Sequence, residues 1–307
     1  MDVRKILDYI DTNGADYISL WRDVCNIESK SGDKAALDRV ADTVEKYASS
    51  LGFAVTRKPF EKTGDFLMID MNFAAPEGYA FLAHMDEPGL MLTEAQDEYF
   101  RFEPLGRIDP RVLSGRFVVL GDEQTRRKGL IAAKGIHLQD RAERRKIPKS
   151  DDLYIDIGAK DADDSAKMLS VGDLGVFDTP FAVFGEADGY FRGKALSGRV
   201  ACAVLAELAS ALAKETPACT VSFLFLARCE AVPAAAGTAL AEYTPDIAVL
   251  TDGVPADDMS DKPRGVTLGG GPAYWRRSPS RRQARRPSSP PRAAQTCSGV
   301  NAQPALS

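Results

Sequence analysis

The chain has 307 residues, of which 44% are hydrophobic and 27% are charged, and its formal net charge is −5. This composition is usual for a soluble globular protein, and the negative charge gives no reason to expect a nucleic acid as partner. The five cysteines are scattered without a CxxC pair, which disfavours both a disulfide framework and a thiolate zinc site.

The start of the chain, MDVRKILDYIDTNG, lacks the uninterrupted apolar segment of a signal peptide. No later window approaches the run of about 18 uncharged apolar residues that a membrane span requires. A cytoplasmic location without membrane contact is therefore expected.

The first predicted elements indicate an α/β arrangement. From Asp33 to Leu51, apolar residues recur at three- and four-residue spacing, which predicts an amphipathic helix that ends at Gly52. The stretches FLMIDMNF, residues 66–73, and GYAFLAH, residues 78–84, predict strands.

Between about residues 87 and 180, short apolar runs are punctuated by Gly, Pro and Asp, which predicts a small β-rich module with one helix at 162–169. The α/β pattern then resumes. Its predicted elements are a helix at 199–214, a strand at 219–227, an Ala-rich helix at 234–243 and a strand at 246–252. The sequence therefore predicts an α/β domain, 1–86 with 180–275, interrupted by an inserted module at 87–179.

Residues 276–307 differ from the rest of the chain: they include seven Arg and five Pro but no Lys and no acidic residue. Such a segment buries too little apolar surface to offset its ordering entropy, so disorder is expected. A basic tail can bind RNA or an acidic surface. The abrupt change after Trp275 instead favours a reading-frame slip in a GC-rich gene.

Polar side chains stand at the predicted ends of three strands. His84 and Asp86 end one strand, and Glu230 and Asp252 end two others. Ligands of open α/β sheets bind beyond such strand ends, and a histidine with two carboxylates can hold Zn²⁺. Asp86 stands two residues after His84, so it could orient the imidazole for a metal. The alternative is a histidine that is satisfied by local hydrogen bonds.

A collinear series of segments resembles the dinuclear-metal glutamyl and deblocking aminopeptidases, whose best-known members form tetrahedral (TET) particles. The similarity runs from about residue 15 to Tyr274. The matching segments are AHMDEPGLM (83–91), KGIHL (134–138), DLYIDIGAKD (152–161), VGD (171–173), GKALSGRVACAVLAEL (193–208), CEAV (229–232), VLTD (249–252) and LGGGP (268–272).

The resemblance implies a zinc-aminopeptidase-like domain with a central mixed sheet and an inserted, small β-barrel-like dimerisation domain. It also implies peptides as substrates, a homo-oligomer formed through the inserted domain, and zinc or cobalt as cofactor. Hydrolysis of the N-terminal residue would use a water activated by two metal ions, with a glutamate as general base.

Four positions keep the residue that the resemblance implies. His84 stands at a ligand of the first metal and Asp86 at the catalytic residue that orients it. Glu230 stands at a ligand of the second metal, and Asp252 at the other terminal ligand of the first.

Two positions depart from the family pattern. Ser197 replaces the aspartate that bridges the two metals, and a hydroxyl bridges zinc ions poorly. Cys229 replaces the general-base glutamate, so the general base of this chain is unknown. The last histidine ligand of the family, near its C-terminus, has no counterpart here.

Each departure also has a structural interpretation. Ser197 and Gly198 could form the N-cap of the helix expected from Arg199. Cys229 could be a small buried apolar residue or, less simply, a nucleophile beside His84. His137 matches a position that is not a ligand, so a structural role is expected for it.

The expected function is therefore that of a metallo-aminopeptidase family member whose activity is impaired or lost, with weak or absent metal binding. One alternative is a non-catalytic assembly or peptide-binding subunit. Another is an active aminopeptidase with a rearranged single-metal site.

Overall fold

The computed structural model describes most of the chain before residue 257. Residues Met1–Gly253 form one compact unit, to which all elements below belong, and the residues from Val254 onward form another. The expectation for 276–307 lies outside the described residues. These are 3–30, 32–59, 66–71, 78–185, 189–214, 219–230, 236–237, 239–240, 245–256, 258, 266–268 and 273.

The named elements alternate between helices and strands at both ends of this unit and are mainly strands in between. In chain order they are α1 (Val3–Asn26), α2 (Lys34–Ser50), β1 (Val55–Lys58), β2 (Phe66–Met71), β3 (Gly78–His84), β4 (Gly89–Gln96), β5 (Tyr99–Leu105), β6 (Phe117–Leu120), β7 (Arg127–Ala133), β8 (Leu153–Asp156), α3 (Ala162–Met168), β9 (Leu174–Phe177), β10 (Ala182–Phe184), β11 (Tyr190–Arg192), α4 (Leu196–Ala213), β12 (Thr220–Leu226) and β13 (Ile247–Leu250).

The described part of the chain contains a five-stranded mixed sheet in the order β1-β2-β12-β3-β13. Strands β12 and β13 both run parallel to β3, whereas β2 is antiparallel to β12 and β1. Because β3 lies between its two parallel neighbours, three carboxyl ends open at the same edge of the sheet. This arrangement positions the candidate site.

Both faces of this sheet are covered by apolar side chains. On β12, Phe223 and Phe225 pack with the helices α1, α2 and α4. The alternate residues Leu224 and Leu226 face a second cluster, which includes Ala239. Successive side chains of a strand point to opposite faces, so one strand contributes to both clusters.

The helices agree with the sequence in part. Helix α2 is confirmed: the side chain of Asp33 caps it by accepting the N–H of Ala36 at 3.0 Å. Helix α1 was not predicted, because Asn13 and Gly14 interrupt its apolar pattern. Of the predicted helix at 234–243, residues 236–237 and 239–240 are helical, and the others lie outside the described residues.

Helix α4 begins at Leu196, three residues before the predicted start at Arg199. Its N-cap residue is Ala195, in the left-handed region at φ 55°, so the proposed N-cap at Ser197 and Gly198 is wrong: both lie in the first turn. By length and composition alone α4 could cross a membrane. Its packing against α1 and the sheet is that of a core helix.

Strands β4, β5, β8, β7, β6 and β9 form a closed barrel, which confirms the predicted β-rich module. The barrel has its own apolar core, with Phe100, Phe102 and Ile155 among its buried members. Helix α3 confirms the helix expected at 162–169. The mixed α/β fold class is confirmed, whereas the domain boundaries 1–86, 87–179 and 180–275 stay a prediction.

Candidate functional site

The structure brings the three predicted metal ligands together at the carboxyl end of the sheet. His84 is the last residue of β3, and its Nε2 lies 3.6 Å from Oδ1 of Asp252 and 3.9 Å from Oε1 of Glu230. Asp252 follows β13 by two residues and Glu230 follows β12 by four. The side chain of His84 is almost fully buried, that of Glu230 is 23% exposed, and that of Asp252 is 42% exposed.

Asp86 contacts the other side of the imidazole and also organises the turn that carries Glu230. Nδ1 of His84 lies 3.3 Å from Oδ1 of Asp86 and 3.2 Å from its backbone oxygen. The same carboxylate accepts the backbone N–H groups of Cys229 at 3.0 Å and Glu230 at 2.9 Å. Arg228 enters this turn at φ 69°. Asp86 is therefore placed to orient His84, as the resemblance implies.

The carboxylates make His84 a strong base. Burial opposes its charge, but interactions with Asp252 and Asp86 outweigh burial and raise the pKa of His84 to about 10. Burial raises the pKa of Glu230, which the positive charge of His84 only partly opposes. Burial also opposes ionisation of Asp252, yet its interaction with His84 dominates and lowers its pKa. A metal ion would have to displace the proton on Nε2 of His84.

Ser197 and Gly198 lie inside the site because α4 starts against it. The hydroxyl of Ser197 lies close enough to Asp252 to help lower the pKa of that carboxyl, after the larger effect of His84. A methyl group added to Gly198 would lie 2.5 Å from Nε2 of His84, and one added to Gly253 would lie 2.5 Å from Cβ of Ser197. The glycines allow the first turn of α4 to touch both the ring and the segment after β13.

Cys229 occupies the turn, with apolar side chains packed against it and the carboxylates of the site nearby. It packs against the cluster that includes Phe66 and Leu226. Burial, and then the charge of Asp86, raises the pKa of the thiol to about 12, so it stays protonated at neutral pH. This supports the interpretation of Cys229 as a small apolar residue rather than a nucleophile. His137 lies exposed on a turn of the barrel.

Within the described part of the chain, the donors at this site do not fit a two-ion centre. A second ion would need a carboxylate that bridges it to the first, and at position 197, where the family resemblance implies that carboxylate, Ser197 offers only an uncharged hydroxyl. Among the described residues, no group of three His, Cys, Asp or Glu side chains is already arranged to hold an ion. His84, Glu230 and Asp252 are the three donors that a single ion could draw together.

Two charged residues near the site were not named as site residues from the sequence. Nζ of Lys194 lies 2.6 Å from Oε1 of Glu87, and both side chains are buried. The same carboxylate oxygen accepts the N–H and the hydroxyl of Ser29. Because Glu87 follows Asp86 and Lys194 precedes α4, this pair ties the end of β3 to the start of the helix. In the sequence, the position of Glu87 directly after Asp86 could have indicated that Glu87 lies near the site.

Comparison with known proteins gives a consistent result. The family model described as M42 glutamyl aminopeptidase matches residues 72–278. An aminopeptidase-like protein of Acetivibrio thermocellus is 31% identical over 193 residues, which is 62% of this chain and 54% of that protein. The chain thus spans about half the length of this relative.

Solved structures with this fold include TET peptidases. The TET aminopeptidase of Thaumarchaeota archaeon SCGC AB-539-E09 has a TM-score of 0.74 and 25% identity, covering 84% of this chain and 72% of that one. The TET1 peptidase of Pyrococcus horikoshii, which can assemble into a tetrahedron or a large octahedral shell, has a TM-score of 0.64 and 25% identity, covering 77% and 68%.

Proposed function

The chain belongs to the M42 glutamyl aminopeptidase family, and we propose that it is a member in which hydrolysis of N-terminal residues from peptides is impaired or lost. Peptidases of this family are metal-dependent. The observation that carries the proposal is the hydroxyl of Ser197 at Asp252, where a two-ion centre needs a bridging carboxylate. Replacement of a group that stabilises the transition state typically costs orders of magnitude in rate.

Among the described residues, the carboxylates near His84 that could accept a proton from water, Glu230 and Asp252, are the same groups that would hold an ion. Asp86 holds the ring of His84, and Glu230 and Asp252 offer carboxylate oxygens on its other side. When bound, a divalent ion would polarise a carbonyl group. The position of the general base is taken by the protonated thiol of Cys229, which faces apolar side chains. The groups that could bind a peptide are thus present, whereas the group expected to activate water is not. The chain can therefore bind peptides even if it does not hydrolyse them.

Metal analysis combined with a peptidase assay tests this proposal. We expect the purified 307-residue chain to hold less than one zinc or cobalt ion and to release no amino acid from peptides in a metal-dependent way. Near-stoichiometric metal with release that a chelator abolishes would overturn the proposal. That result would favour the alternative of an active enzyme with a single metal.

A second candidate function is non-catalytic assembly. The barrel is closed and has its own core, although the catalytic positions are substituted. The similar TET1 peptidase forms large shells, and we propose that this chain forms a homo-oligomer through its barrel. Light scattering coupled to size-exclusion chromatography tests this, and a monomer that also ignores active family members would contradict it. The cytoplasmic location stays a prediction.

A further inference from the structure

The barrel contributes a wall to the candidate site through the segment that follows β5. Gly106 has φ +96°, and a methyl group added to it would lie 3.6 Å from Oε2 of Glu230 and 3.4 Å from Cβ of Pro88. The backbone at Gly106 therefore lies near the carboxylate, with room for a methyl group at ordinary van der Waals distance. Arg107 follows directly, so it is the first side chain beyond this point.

A shallow, open cavity of about 810 Å³ lies at the same segment. Its volume lies in the range of about 300–1,000 Å³ that is usual for small-molecule sites. Gly106 and Arg107 line it together with the apolar side chains of Pro104, Ile108 and Pro110. Because Gly106 both lines the cavity and lies near Glu230, the cavity adjoins the candidate site.

Two basic side chains line the cavity, Arg107 and Lys149, and Arg107 is the one that directly follows Gly106, the lining residue near Glu230. The side chain of Arg107 is exposed, and no hydrogen bond or ion pair joins it to any residue in the described part of the chain. Asp109, also in the lining, is engaged differently: both its oxygens lie 2.9 Å from Nε of Arg111, which lowers the pKa of Asp109 to about 2. Glu103 and Asp151 also line the cavity, so it is polar rather than uniformly basic.

We propose that this cavity is a subsite for short peptides, in which Arg107 binds the C-terminal carboxylate. The inference rests on the proposed function because it takes a peptide as ligand. Two residues of an extended peptide span roughly 7 Å, a length that a cavity of this volume can hold. A guanidinium matches a carboxylate in a bidentate pair, and the apolar side chains accept small residues without selecting one sequence.

Titration calorimetry with trialanine and with its C-terminal amide tests the subsite. The experiment is done at low salt, because an exposed ion pair is screened, and with a chelator, so that neither metal binding nor hydrolysis enters the measurement. We expect the free acid to bind about five- to tenfold more tightly than the amide, the effect of one charge-assisted hydrogen-bonding pair at a partly exposed site. Arg107→Gln should remove this preference and leave amide binding unchanged, whereas Arg107→Lys should keep part of it.

Arg127→Gln is the matched control. Arg127 is also exposed on the barrel but does not line the cavity, and its side chain donates to the carbonyl of Arg126. Equal binding of acid and amide by the unmodified chain, failure of both to bind at millimolar concentration, or the same loss in Arg127→Gln would overturn the subsite. Metal content and hydrolysis are measured separately, so an active enzyme that distinguishes acid from amide would overturn only the proposed loss of activity.

Discussion

The carboxylate of Asp86 accepts the backbone N–H of Glu230 at 2.9 Å, which joins the end of β3 to the turn after β12. Its other oxygen accepts the N–H of Cys229 and lies beside Nδ1 of His84. The buried side chain of Asp86 thus fixes the positions of two candidate metal ligands, His84 and Glu230, relative to each other. This role needs no metal, so it persists where catalysis is lost.

Asp86→Asn should destabilise the fold by about 1–3 kcal/mol, because the amide nitrogen cannot accept a hydrogen bond and one of the two N–H groups is left buried without a partner. Urea unfolding measures the change. Glu94→Gln, on an exposed position of β4, is the control and should be neutral. An unchanged free energy of unfolding in Asp86→Asn would show that the turn does not depend on this carboxylate.

Gly198→Ala should lower stability by about 1–3 kcal/mol, because the added methyl group overlaps the imidazole of His84 and either the ring or the start of α4 must move. Gly237→Ala is a matched control: Gly237 is helical and has open space where the methyl group would stand. The control should be neutral or slightly stabilising, since alanine favours helices. Thermal unfolding that shifts equally in both variants would contradict the close packing at Gly198.

Lys194→Met should cost about 3–5 kcal/mol, because it leaves the buried carboxylate of Glu87 without its partner. Adding Glu87→Gln should restore part of the loss, since the uncompensated charge is removed. Arg22→Met breaks an ion pair with Asp23 whose side chains are more than half exposed, and it should change stability by less than about 1 kcal/mol. Chemical unfolding is measured for five chains: the unmodified chain, Lys194→Met, Glu87→Gln, the double variant and Arg22→Met. Additive losses in the double variant would argue against a coupled pair.

Ser197→Asp should create zinc-dependent stability. The new carboxylate would stand beside Asp252, so the apo form should lose stability through repulsion of like charges, and added zinc should restore it by bringing the oxygens to one ion. Thermal unfolding with and without zinc measures this. Ser114→Asp, on an exposed turn of the barrel, should show no zinc response. If Ser197→Asp responds no more than this control, the site cannot be repaired at that position alone.

The sequence predicts the elements that carry the site well. The apolar runs that end at His84, before Glu230 and before Asp252 are recognisable as strands, and the rule that parallel strands end at one edge is sufficient to expect their convergence. The mixed sheet and the β-rich module follow from the same patterns with the family resemblance. These features depend on local periodicity, which a sequence displays directly.

Features that depend on contacts between distant segments could not be predicted. Helix α4 starts early because Ala195 adopts a left-handed conformation, a choice that its own residue type does not favour. The contact of Gly198 with His84 and the position of Gly106 near Glu230 depend on how α4 and the barrel pack against the sheet. The spacing of apolar residues along the chain carries no information about contacts between distant segments. A glycine in the sequence indicates only that the backbone could approach another group at that position.

Because β3 lies between two parallel neighbours, backbone pairing fixes the frame of the site, meaning the positions of its residues, independently of the side chains that would carry out a reaction. Backbone pairing with β12 and β13 sets where His84, Glu230 and Asp252 emerge, and that pairing does not involve the side chains at 197 and 229. Substitutions at those two positions can therefore accumulate without loosening the frame. The chemistry at this edge of the sheet can therefore change in a lineage while the three strand ends keep their positions.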